Sequence, residues 1–452
     1  MKKFLTTPGA EGYFDFLSLN VVLSKYEYQH LDNIQRAIAW KPGMPVDRLI
    51  TDYRALIKHE ITHFLDMTTT AWGRQYTLRK LQMLRQIIDK STIPRDARAV
   101  FALCTAEIEM HSALLESGDT PPSSCDTIVH DLVDVKQFGV CIRIHYLKNG
   151  KCQHKVALSM LSLLEANATA SEFLSLLQCA DHEQDIVSRR LALADVQRRF
   201  DALLDDPTRL EYSSLLHLTR LHFKELDLAA LLQLVSASAR FSLDTPFPWL
   251  PTIASVVQRT FKNIDLGDRL AMELRRTSAL QLIYFKTVLL LYQWLRDPPL
   301  EELPARETLL RERPYEAIVR MWEHYLKGEL PGNREAWDWM NDRNLDAVAF
   351  QVRETGRPLP DEILFAAGLH NRKILATRSA GVIDFGELLL PDSLLADGVS
   401  VTYPNRVDLD VAKCCDENVN SYMDLDREYR EMAHERFYLP PDSELIVRSK
   451  HV

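Results

Sequence analysis

In the stretch LIKHEITHFLDMTTTAWG, residues 56–73, two imidazoles and a carboxylate stand together as His59, Glu60 and His63. If the stretch is an α-helix, residues four apart lie one above the other, and His59 and His63 can each aim a ring nitrogen at one ion. Glu60 is turned about 100° from His59, which sets its carboxylate beside that ion and not on it. From there it can take a proton from a metal-activated water and return it to a leaving amine. Zn²⁺ suits two imidazoles and an open position, and it lowers the pKa of a bound water to about 7. The competing reading is an ordinary helix face carrying two histidines and a glutamate. A third ligand decides between them.

Two zincin patterns supply one. The metzincin spacing needs glycine three residues after the second histidine and His or Asp six after it; here those positions are Asp66 and Thr69, so that pattern fails. The other places a glutamate on a separate downstream helix. LLEANATASE offers Glu165 and Glu172. An acid that follows two leucines points inward, and Ala166, Ala168 and Ala170 would admit a neighbouring helix closely. Glu165 is therefore favoured over Glu172.

HExxH with a remote glutamate resembles the gluzincin branch of zinc metallopeptidases, over about residues 14–180 and at the level of motifs. The hairpin-then-helix segment 138–178 adds to the likeness, because zincins flank the active-site helix with an edge strand. The resemblance implies a zincin-like catalytic domain, His59, His63 and Glu165 as ligands of Zn²⁺, Glu60 as general base, and a protein or peptide substrate. Many gluzincins carry an acid four residues after the third ligand; here that position is Thr169. Asp66 is the candidate to replace it by accepting the second N–H of a ligand imidazole. The likeness extends to bacterial HExxH proteins that serve as toxins or defence effectors, which implies a restricted protein target and a regulatory protein partner. Donors for the oxyanion would come from His145, Tyr146, Tyr76, His217 or His222, but none has a diagnostic spacing.

The elements that must position these groups are mostly helical. Residues 44–72 read as one helix with Pro45 in its first turn and Gly73 the first residue to disturb it. Residues 14–28 read as a strand or an ill-defined helix, and 76–90 and 95–115 as further helices. A strand at 138–146, an Asn149-Gly150 turn and a return strand near 151–157 make a hairpin. Cys152 and His154 on the return strand would share a face by the period-two rule. Helices follow at 157–178, through 183–242 and through 253–295, and the stretch beyond 355 mixes loops with short elements. The expected fold class is mainly α with a small β-hairpin or sheet. Three prolines in 246–251 suggest a boundary, giving a zincin-like domain over 1–245 and a mostly helical C-terminal region over 246–452.

Bulk properties bound the partners. The chain has 452 residues, a net charge of −9 and a pI near 5.9, a balance that disfavours a non-specific nucleic-acid binder. Seven cysteines without CxxC pairs read as free thiols in a reducing cytosol. MKKFLTTPGA is interrupted by Thr, Pro and Gly before any signal-like apolar core develops. The greasiest run, 278–295, holds Lys286 at its middle and reads as a buried core helix, so no membrane association is expected. No Walker loop, dinucleotide fingerprint or serine-hydrolase elbow is present. The expectation is an intracellular zinc-dependent peptidase; the alternative is a helical interaction protein with a structural or degenerate zinc site.

Overall fold

The computed structural model describes residues 11–16, 19–45, 47–88, 107–135, 139–259, 261–275, 279–297, 302–326, 343, 361–376, 378–407 and 447–449. The chain is mainly helical with a small proportion of strand. It gathers into two compact units, one from residues 1–106 with 333–444, the other from 107–332 with 445–452. The proline-rich stretch 246–251 falls inside the second unit and does not divide the chain. Pro246 caps the 3₁₀ turn Phe247–Trp249, which runs directly into the next helix. Proline fits such first-turn positions, so these residues bend the path without ending the unit.

The first unit opens with a hairpin, β1 (Tyr13–Asp15) and β2 (Asn20–Leu23), paired antiparallel with Phe14 opposite Val21. The strand Ser393–Leu395 adds parallel to β2, and Ser400–Val401 closes the sheet antiparallel. Helix α1 (Leu31–Ala39) precedes α2 (Arg48–Thr69), which begins where the Asp47 carboxylate accepts the Ile50 N–H at 2.8 Å. The helix thus starts at an aspartate cap and not at Pro45, because the cap satisfies an N–H that the first turn leaves open. α2 packs against α1, the β1–β2 hairpin and the Asp361–Leu375 helix.

α2 ends at Thr70, whose extended backbone stops the helix before α3 (Ala71–Ile88). The expected single helix through Trp72 is therefore two. Thr68, Thr69 and Thr70 each donate a hydroxyl to the carbonyl four residues back, at 2.9, 2.6 and 2.6 Å. Such bonds compete with the helix ladder and bend it. The Thr70 hydroxyl then accepts the Gly73 N–H at 3.1 Å and starts the new helix. Gly73 serves the corner by its lack of a side chain: a Cβ there would lie 2.0 Å from the Met67 carbonyl oxygen. Gly73→Ala is expected to destabilise the first unit by about 3 kcal/mol, seen as a lowered thermal midpoint. An unchanged midpoint would refute the close crossing.

The second unit holds a sheet of β3 (Thr127–Val135), β4 (Gly139–Lys148) and β5 (Lys151–Leu158), all antiparallel, with Val447–Ser449 beside β3. Asn149 and Gly150 both take positive φ, 50° and 74°, as a two-residue hairpin turn requires. β3 is a strand that the apolar pattern of the sequence does not announce. Helix α4 (Glu107–Leu114) covers one face with Met110 and Leu114 over Val133, Val135, Cys141 and Ala157. The rest of the expected 95–115 helix lies outside the described residues.

β5 leads into α5 (Met160–Asp181), capped by Ser159 and buried along most of its length. Around it run α6 (Ile186–Asp205), α7 (Leu210–His222) and α8 (Leu228–Leu243). Small residues let α5 and α8 approach, and the Ser236 hydroxyl reaches Asn167 Oδ1 at 2.9 Å. The unit continues through α9 (Leu250–Arg259), α10 (Ile264–Arg275), α11 (Gln281–Arg296), α12 (Leu303–Glu312) and α13 (Pro314–Leu326). α11 is the greasy run, and it is buried. Among the described residues no helix is long and apolar enough to cross a membrane.

Candidate metal centre

α2 places His59 and His63 one above the other, with ring centroids 5.2 Å apart. His63 is buried and lies beside Phe14 and Phe16, whose ring centroids are 6.4 and 6.0 Å from its own. The β1–β2 hairpin thus supplies the apolar wall behind one imidazole. Glu60 is also buried, and its carboxylate lies against the backbone just before β1. A Cβ on Gly12 would stand 2.9 Å from Glu60 Oε1 and 3.0 Å from its Cγ. Glycine at 12 therefore leaves the carboxylate its place. Gly12→Val is expected to push Glu60 aside and cut any Glu60-dependent turnover by about tenfold or more, with zinc content unchanged. Full turnover in that variant would show that the glutamate's position is unimportant.

Two buried cations fix α2. Arg54 donates to the carbonyls of Ala37 and Trp40 and pairs with Asp384 at 3.4 Å, its guanidinium 5.0 Å from the Trp40 and Phe385 ring centroids. One turn on, Lys58 donates to the carbonyls of Ala380 and Ile383. Its ammonium sits 4.2 Å from the Phe385 ring centroid. These bonds tie α2 to the 380–385 segment, far away in sequence, and fix its rotation about its own axis. That rotation decides where His59 and His63 point.

Glu165 sits in the second turn of α5 and is buried. The helix that carries it is anchored at its start. The Ser159 hydroxyl accepts the Ser162 N–H and meets His111 Nε2 at 2.6 Å. Burial pushes the His111 pKa down to about 4, so the imidazole is neutral and structural. His59 and His63 stand in the first unit and Glu165 in the second. Two imidazoles one helical turn apart offer two of the ligands that a zinc ion takes. Glu172 stands on the same helix as Glu165. It lies two turns along α5, about 10 Å by the helix rise.

Asp66, the expected partner of a ligand imidazole, is fully buried three residues past His63. Thr169 is buried as well. A further acid, Glu211 in the first turn of α7, carries no signal in the sequence. Burial raises its pKa, and the charge of Glu165 adds to the effect. A first-turn glutamate reads as a helix-dipole partner, so only its tertiary neighbour could have singled it out.

Each oxyanion candidate has contacts of its own. His145 Nε2 lies 3.0 Å from the Asp131 carboxylate. Tyr146 is fully buried between His154 and His217, and Tyr76 packs on Trp72. His217 Nε2 meets the Leu204 carbonyl at 2.9 Å, and burial holds its pKa near 4. His222 Nδ1 meets the Leu218 carbonyl at 2.8 Å. Cys152 and His154 do not share a face. The register shifts at Tyr146/Leu147, leaving Gln153 as an extra residue in β5, so Cys152 is exposed and His154 buried. His154 Nε2 donates to the Thr120 carbonyl at 2.6 Å, and its Nδ1 accepts the Gly118 N–H at 3.2 Å. Cys125, Cys141, Cys152 and Cys179 are free thiols; Cys104, Cys414 and Cys415 lie outside the described residues.

No protein-family model, curated protein or solved structure is significantly similar to this chain. Its chemistry has to be argued from the side chains themselves.

Proposed function

We propose that the chain is a zinc-dependent peptidase of gluzincin type, with His59, His63 and Glu165 as metal ligands and Glu60 as general base. The observation that carries this reading is the pair of imidazoles one turn apart on α2, their ring centroids 5.2 Å apart, with the buried Glu60 next in sequence to His59; Glu165 enters from the setting of LLEANATASE in the sequence. The donor chemistry fits Zn²⁺ and not Mg²⁺ or Ca²⁺, which take oxygen ligands almost exclusively. A zinc ion held there would activate a water and polarise an amide carbonyl.

The chain's own residues do the rest. Glu60, buried and seated against Gly12, takes the proton of the attacking water and passes it to the departing amine nitrogen. Phe14 and Phe16 keep water from the side of His63 that they cover. Asp66 holds the second N–H of a ligand imidazole, which fixes the ring and raises its basicity. The substrate class is a protein or peptide. The free-thiol cysteines suit action in a reducing compartment, and a restricted, regulated target of the defence-effector kind fits the association drawn from the motif.

The test is metal analysis of the purified full chain, followed by exposure to a mixed peptide library with and without 1,10-phenanthroline. One zinc per chain, cleavage abolished by the chelator and restored by added Zn²⁺ are expected. Bound zinc without cleavage would favour a helical interaction protein clamped by a structural ion. Absence of zinc would remove the proposal altogether.

A further inference from the structure

Cys152 lies on β5 in the second unit, exposed and outside the metal centre. The bulge at Gln153 decides which way it faces. With an unbroken register Cys152 would stand opposite Lys148. The extra residue sets it opposite Leu147 instead, on the face of β4 that also carries His145 and Arg143. The Cys152 sulfur accordingly comes within 3.8 Å of His145 Nδ1. The other side of that imidazole is occupied as well: Nε2 lies 3.0 Å from Asp131 Oδ1 on β3, a charge contact bent from a straight hydrogen bond. A thiol, an imidazole and a carboxylate from three neighbouring strands thus follow one another across the sheet.

That is the order of a nucleophile, a base and the group that holds the base. A carboxylate at Nε2 favours the tautomer with its proton there, which leaves Nδ1 open to take the proton of the thiol. Asp131 is charged: burial works to raise its pKa, but contacts with His145 and Arg143 hold it down to about 2. Arg143 Nη2 meets the same carboxylate at 2.9 Å and fixes it across the strands. The other charges near the sulfur are Lys155 and Glu116, which pair with each other at 2.6 Å. Partial burial pushes the Cys152 thiol up, so solvent alone leaves little thiolate at neutral pH and a base beside the sulfur has to remove the proton. The thiol's other acceptor, the His154 carbonyl at 3.5 Å, cannot take that proton away.

We propose that Cys152 is a modification site, a nucleophilic thiol that forms a mixed disulfide with small disulfides, with His145 as its base and Asp131 as the residue that positions that base. His145 Nδ1 takes the thiol proton, and the sulfur attacks one sulfur of the incoming disulfide. The old S–S bond breaks as the new one forms, and the departing thiolate takes the proton back from His145. The disulfide is itself the oxidant, so no further reactant is needed. Cys141 and Cys179 are buried away from such a reagent, and Cys125 is half-buried. None of these residues belongs to the metal centre, so the modification is independent of the peptidase reading.

The test mixes the full-length protein with excess oxidised glutathione, quenches samples with acid, and follows the added mass on the peptides that carry Cys152 and Cys125. Cys152 in the folded chain is expected to react about tenfold or more faster than the same cysteine in the chain unfolded by guanidinium. His145→Asn, which keeps a polar group beside the sulfur but cannot take a proton, should slow Cys152 by about tenfold and leave Cys125 within about twofold. Asp131→Asn should slow Cys152 as well, and Asp131→Glu should restore it, since the carboxylate and not the shape of the side chain orients the imidazole. Thermal unfolding of each variant confirms that it is folded beforehand. A Cys152 rate in the folded wild type no higher than in the unfolded chain overturns the proposal, as does an unchanged Cys152 rate in the folded His145→Asn variant.

Discussion

Exchange of Glu60 for glutamine is expected to slow peptide hydrolysis by about a thousandfold and to leave the zinc content unchanged. The magnitude is that of a positioned general base in a proton-transfer step. Glutamine has nearly the shape of glutamate, so it fits the tight space beside Gly12 without opening a cavity. What it loses is the capacity to accept a proton. The residue is buried, so bulk buffer is poorly placed to stand in for it. The variant therefore separates two roles that the motif alone confounds. Equal activity in the wild type and the Glu60→Gln chain would remove the glutamate from the reaction. Loss of zinc together with activity would make it a ligand and not a base.

The second large effect is expected at the third ligand. Glu165→Ala should weaken zinc binding by more than about a hundredfold, above the range seen when only an outer partner of a ligand is removed. Alanine suits the middle of a helix, and Ser159 with His111 still anchors the start of α5. The variant should fold. Glu172→Ala is the control on the same helix, and its zinc affinity should stay within about twofold of wild type. His63→Ala should match Glu165→Ala. If Glu172→Ala lost the metal and Glu165→Ala retained it, the assignment of the third ligand would be reversed.

What is legible in the sequence is local. HExxH and the apolar setting of LLEANATASE are read along single helices, where spacing alone fixes which side chains share a face. The Asn149-Gly150 turn carries its own backbone requirement, and β4 and β5 follow from it. Less legible is anything set by partners distant in the chain. Arg54 and Lys58 are buried because carbonyls of Ala37, Trp40, Ala380 and Ile383 receive them, partners that lie far from them in the chain. The first unit is assembled from two segments separated by more than two hundred residues, which no local composition shift announces. β3 is hidden because His130, Asp131 and Asp134 break its apolar run; its pairing with β4 gives the strand its stability. Gly73, the conventional helix breaker, suggests a break three residues later than the real one at Thr70, where a run of threonine hydroxyls does the breaking. The bulge at Gln153 shows the same limit, since a single extra residue overturns a period-two argument.

The central claim is that two imidazoles and one carboxylate hold a zinc ion with a position open to solvent. X-ray absorption at the zinc edge of the purified full chain tests it most directly. The predicted result is stoichiometric zinc with two imidazole nitrogens at about 2.0–2.1 Å, the remaining ligands being oxygen at about 2.0–2.2 Å. A shell of sulfur near 2.3 Å, a single imidazole, or no zinc at all would contradict it.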